Sequence, residues 1–90
     1  MPLFVIERQF AEQLELTPEA AKAVSLINES VGANWLFSFL SADKKKTYCL
    51  YEAPSAEAIR QAAKLANIPA DVIVEVTELR PEAFNTAASR

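Results

Sequence analysis

A chain of 90 residues suits one small domain, and with 51% hydrophobic side chains it is too apolar to remain disordered. Its formal charge of −3 argues against a nucleic-acid partner, since phosphate contacts need clustered Lys and Arg. A count of 0 His and 1 Cys removes Ser-His and Cys-His catalytic pairs, the commonest metal ligand and any internal disulfide.

The first predicted strand is Leu3 to Arg8, rich in β-branched and aromatic residues. Alternation sets Leu3, Val5 and Glu7 on one face and Phe4, Ile6 and Arg8 on the other. Both faces are apolar until the last pair, as expected of a central strand. Gln9 to Leu16 reads as a packed loop holding Phe10, Leu14 and Leu16. Thr17-Pro18-Glu19 then starts a helix: a capping hydroxyl, a proline tolerated at the first position and an acid at the positive end of the dipole. Its buried stripe is Ala20, Val24, Ile27 and Val31, and Gly32 ends it in the left-handed conformation.

Asn34 to Ala53 reads as a hairpin around a charged turn containing Lys44, Lys45 and Lys46, a solvated run. Strict alternation places Trp35, Phe37 and Phe39 together, opposite Leu36, Ser38 and Leu40. On the return strand Tyr48, Leu50 and Glu52 oppose Thr47, Cys49 and Tyr51. Pro54 stops the ladder. Ser55 caps a second helix with a buried stripe of Ile59, Ala62, Ala63 and Ala66, ended by Asn67 and Pro69. Asp71 to Leu79 is the last predicted strand, with Val72, Val74 and Val76 on one face.

The order is β-α-β-β-α-β, which right-handed crossovers and one hairpin close into a four-stranded antiparallel sheet with two helices on one face. The expectation is an α+β, ferredoxin-like sandwich over residues 1–80, followed by a flexible tail at 81–90. The uncovered face then carries large apolar groups, whichever alternate of the hairpin points outward. A patch of that kind marks an interface, so a homodimer through the open sheet face is expected, with a pocket between subunits as a further option. No apolar run is long enough to span a membrane, and no leader or lipidation motif opens the chain. A soluble cytoplasmic protein without a membrane partner is expected, and the lone thiol fits a reducing compartment.

The candidate chemistry is sparse. Glu7 and Glu52 lie at or near the ends of strands expected to be neighbours. They read either as a facing carboxylate pair, able to hold a hard cation or act as acid and base, or as solvated strand-end acids partnered by Arg8. Cys49, in mid-strand, reads as a buried, inert thiol. Trp35, Phe37, Phe39 and Tyr51 line an aromatic pocket or belong to the core and the dimer contact. No basic residues are interleaved with them, which argues against RNA binding.

FVIER in the first strand, TYCLYEAPSAEAIR in the hairpin and second helix, and NIPAD after that helix resemble a small uncharacterised ferredoxin-like family that includes nickel-binding members. The resemblance covers residues 3 to 79. It implies histidine ligands at the end of the first strand, in the second helix and just before the Pro-Ala-Asp step. Those places hold Arg8, Ala63 and Ile68 here, and a guanidinium and two aliphatic groups do not replace imidazoles. The resemblance therefore implies the fold and a dimer, without cofactor or metal. A surviving ligand site is expected near Glu7, Arg8 and Glu52, where Arg8 beside a carboxylate suggests an anionic organic ligand or an internal ion pair. The expected function is a dimeric binding or structural module without assigned catalytic residues, its candidate ligand-binding residues being Glu7, Arg8, Trp35, Phe37, Tyr51 and Glu52. The competing expectations are a dimeric α+β-barrel enzyme, monooxygenase-like or isomerase-like, acting on a small molecule between two sheets, and residual metal binding through carboxylates.

Overall fold

The computed structural model describes residues 1–82. The expected tail, 81–90, lies outside them apart from its first two residues. The elements run β1 (Leu3–Gln9), α1 (Pro18–Ser30), β2 (Asn34–Leu40), β3 (Lys46–Glu52), α2 (Ala56–Ala66) and β4 (Val72–Val76). The sheet has four strands in the order β2-β3-β1-β4, and each neighbouring pair is antiparallel. This is the ferredoxin-like sandwich. β1 is central, as its two apolar faces required.

The local signals act as their chemistry dictates. Thr17 Oγ1 accepts from Ala20 N at 3.1 Å and Ser55 Oγ from Ala58 N at 3.2 Å. Each cap contributes about 1 kcal/mol by satisfying an orphan donor. Asn67, at φ 56° and ψ 45°, ends α2 in the left-handed region, and Ile68 N turns back to Ala63 O at 3.0 Å. The core joins Phe4 and Ile6 of β1, Cys49 and Tyr51 of β3, and Ile59 of α2. Removing Ile6 or Ile59 from water contributes about 1.5–3 kcal/mol each.

Three expectations are corrected. β4 stops at Val76 rather than continuing to Leu79, and Asp71 stands outside it. Leu3 pairs with Val76, so β1 offers no partner further on, and Pro2 has no N–H to give. At the other end Asp71 closes the ladder, its N donating to Glu7 O at 3.0 Å and its carboxylate accepting from Gln9 N at 2.7 Å.

The second correction concerns α1. Val24, Ile27 and Val31 are half-buried, but Ala20 is exposed and the one buried residue of the helix is Asn28. The helix packs on α2 and β2. Its first turns leave the sheet below them uncovered.

The third is a β-bulge in β2. Trp35 pairs with Tyr51 and Phe37 with Leu50, so Leu36 is an extra residue with no partner. Trp35, Ser38 and Leu40 therefore share the helix side with Tyr51, Cys49 and Thr47, while Phe37 and Phe39 face the open side. The expected row of Trp35, Phe37 and Phe39 does not exist. The open face carries Phe39, Tyr48, Glu7 and Val72 in one cross-strand row and Phe37, Leu50, Val5 and Val74 in the next. Phe37 and Phe39 are exposed and meet edge to face, with centroids 5.5 Å apart. Among the described residues no helix is long and apolar enough to cross a membrane.

Candidate functional site

Of the two readings of Glu7 and Glu52, the facing carboxylate pair does not form. Leu3 lies opposite Glu52, whereas Glu7 lies opposite Tyr48. The carboxylates thus stand at opposite ends of the β1–β3 ladder, roughly 13 Å apart along the strand. Glu7 forms an ion pair with Lys46, whose ammonium lies 5.3 Å from the Tyr48 ring centroid. The hydrogen bond to Glu7 raises the Lys46 pKa above its ordinary value, against a lesser opposing effect of desolvation. Glu52 accepts from Asn34 Nδ2 at 3.4 Å. Neither acid is beside Arg8, because alternation along β1 turns Arg8 to the other side of the sheet.

There Arg8 is only 3% exposed. It donates through Nη1 to the Pro69 carbonyl at 2.5 Å and through Nη2 to the Tyr51 hydroxyl at 3.4 Å. The Tyr51 hydroxyl also accepts from Asn28 Nδ2 at 3.1 Å. Burial raises the Tyr51 pKa, partly offset by the positive charge of Arg8 and the bond from Asn28. The phenol is therefore neutral and protonated at physiological pH. Arg8 enters none of the ion pairs among the described residues, such as Lys46–Glu7 and Arg60–Glu57.

Arg8 and Tyr51 stand at the polar end of a cavity of about 330 Å³ between the sheet and α1. Its apolar walls come from Phe10, Leu14 and Leu16 of the loop, Val24 of α1, Leu40 of β2 and Ile68 after α2. Trp35 lines it too, its indole N–H held by Ser38 Oγ at 2.8 Å. Cys49 lies buried in the same wall, with Sγ 3.6 Å from Thr47 Oγ1. Of the residues selected from sequence, the structure brings Arg8, Trp35 and Tyr51 together here. Phe37 lies on the opposite face of the sheet, as do Glu7 and Glu52.

Sequence reasoning missed Asn28, Ser38 and Thr47. Asn28 had a signal, being a polar residue one turn after Val24 on the apolar stripe of α1. Ser38 had none, because the bulge that turns it inward cannot be read from alternation.

A metal does not fit this place. Arg8 and Ile68 line the cavity, and Ala63, whose carbonyl holds Ile68 N, is buried beside it. All three positions where histidines were implied thus gather at one end of the fold, but they offer a fixed cation and two hydrocarbons. Among the described residues no group of three or more His, Cys, Asp and Glu is placed to hold a metal ion.

A family model described as nickel responsive protein SCO4226-like matches residues 4–76. The crystal structure of SCO4226 from Streptomyces coelicolor A3(2) superposes with a TM-score of 0.72 at 23% identity, covering 87% of this chain and 99% of that one. That likeness establishes the shared fold. No curated protein matches the chain.

Proposed function

The chain belongs to the nickel-responsive SCO4226-like family, and we propose that it is a homodimeric member that binds a small organic molecule where the family resemblance implies a metal. The observation that carries this reading is the buried Arg8 guanidinium, 3% exposed, at the head of an apolar cavity. A fixed positive charge opposes cation binding and favours an anionic or acceptor-rich guest. The cavity volume falls at the small end of the range for ligand pockets.

The dimer rests on the open face. Phe37, Phe39, Tyr48, Val72 and Val74 are all exposed there, and Phe39 reaches 66%. A contiguous apolar face of this kind supports packing against a second copy, sheet to sheet. The ligand site of this reading lies behind the sheet, on the helix side, so each subunit keeps its own. The free, buried Cys49 is compatible with a reducing, cytoplasmic setting.

The test combines light scattering with calorimetry on the purified protein. A dimer at micromolar concentration and no heat on titrating nickel are expected. A clean monomer removes the sheet-to-sheet assembly, and saturable nickel binding removes the replacement of metal by an organic ligand.

A further inference from the structure

We infer that the cavity behind Arg8 takes a monoanionic organic acid, a carboxylate on a compact apolar body. This deepens the binding reading above and rests on it.

A buried cation is costly unless paired, and among the described residues Arg8 has only neutral partners: the Pro69 carbonyl, the Tyr51 hydroxyl and the Tyr51 ring at 5.8 Å. An anion in the cavity supplies the missing charge.

The proton inventory points the same way, independently of charge. Arg8 uses two of its N–H donors in the bonds to Pro69 and Tyr51, and a guanidinium has further donors to offer. The Tyr51 oxygen accepts from both Arg8 and Asn28, which leaves its own O–H to donate elsewhere. Thr47, opposite Arg8 in the β1–β3 ladder, accepts at Oγ1 from Cys49 and keeps its own O–H to donate. The Arg8 end of the cavity therefore offers donors from Arg8, Tyr51 and Thr47. A carboxylate only accepts, so it satisfies them without bringing a donor of its own. A primary amide would leave an N–H facing other N–H and O–H groups, and an amine would face a cation.

The size follows from volume. A 150 Å³ apolar cavity holds benzene, so about 330 Å³ holds roughly a dozen non-hydrogen atoms. Leu16 and Leu40 are 47% and 48% exposed while lining the cavity, which places its mouth at the rim they share. The acid enters carboxylate first, and its hydrocarbon end stays against Leu16 and Leu40.

The probes are sodium 2-naphthoate and its neutral analogue 2-naphthalenemethanol, titrated by calorimetry into the full chain. The acid is expected to bind about tenfold or more tightly than the alcohol, the difference made by charge-assisted hydrogen bonds. Arg8→Gln is expected to abolish that preference. Should Arg8→Gln fail to fold, Thr47→Val gives the second arm: it removes one donor at nearly constant volume and weakens the acid more than the alcohol, whose neutral oxygen accepts less strongly. Equal affinity for both compounds overturns the carboxylate assignment and leaves a neutral-ligand module standing. Binding of neither compound at millimolar concentration removes the binding reading together with it. An unchanged acid affinity in Thr47→Val overturns the assignment of donors to the polar end of the cavity.

Discussion

The guanidinium of Arg8 lies 5.8 Å from the centroid of the Tyr51 ring and donates to the Tyr51 hydroxyl at 3.4 Å. One side chain comes from β1 and the other from β3, both strands central in the sheet. The hydroxyl is also where Asn28 ties α1 to the sheet. A single oxygen thus joins α1 to the buried cation, whose other hydrogen bond goes to the Pro69 carbonyl.

Tyr51→Phe removes that oxygen and strands both donors. The expected loss is about 2 kcal/mol of stability, or about 10 °C in melting temperature for a domain of this size. Urea and thermal denaturation measure it. A change under about 0.5 kcal/mol would mean that water takes over both bonds.

Alkali probes the same group. Tyr51 keeps its proton in the folded protein to a pH above its ordinary value of 10.0, because burial disfavours the phenolate. The unfolded chain loses that proton first. Stability is therefore fully present below about pH 10 and declines as pH rises through the folded pKa, with a slope set by the difference in bound protons. Comparing denaturation against pH for the native chain and Tyr51→Phe isolates this contribution. Parallel curves above pH 10 would contradict it.

Much of this arrangement was legible in the residues, and its failures have physical causes. The alternation of Phe4, Ile6 and Arg8 already puts the cation on one face with two large apolar residues, although both faces of β1 read as buried. The caps at Thr17, Ser55 and Asn67 follow from local hydrogen-bonding chemistry alone. The Glu7–Glu52 pair failed on register: both acids sit toward the C-terminal ends of their strands, and antiparallel neighbours place those ends at opposite edges. Strict alternation groups Trp35 with Phe37 and Phe39, and one unpaired residue, Leu36, separates them by inverting everything that precedes it in β2. The cavity itself depends on how far α1 stands from the sheet, which no periodicity encodes.

The bulge carries its own prediction. Removing Leu36 makes Trp35 and Phe37 successive residues opposite Tyr51 and Leu50, which are successive on β3. Regular alternation then gives each the face it already occupies. The deletion is expected to fold with Trp35 fluorescence as blue-shifted as in the native chain. A red-shifted emission would show that the bulge is needed for the strand to pair at all.

Phe39→Glu puts a charge on the most exposed aromatic of the open face. Because the side chain lies outside the core, circular dichroism and melting temperature are expected to change little at low concentration. The proposed sheet-to-sheet dimer is expected not to form in this variant, since desolvating an unpaired carboxylate opposes the apolar contact. Sedimentation velocity decides it: an undiminished dimer would move the interface to another surface.

With Arg8 at the end of β1, where the family resemblance implies a metal ligand, an organic anion and nickel compete as explanations of the cavity. The most direct test is a thermal-shift comparison of the full chain with nickel and with 2-naphthoate under identical conditions, since a guest that binds only the folded form raises the melting temperature. The acid is expected to raise it in proportion to the logarithm of its concentration, and nickel to leave it unchanged. A rise with nickel and none with the acid would contradict the account.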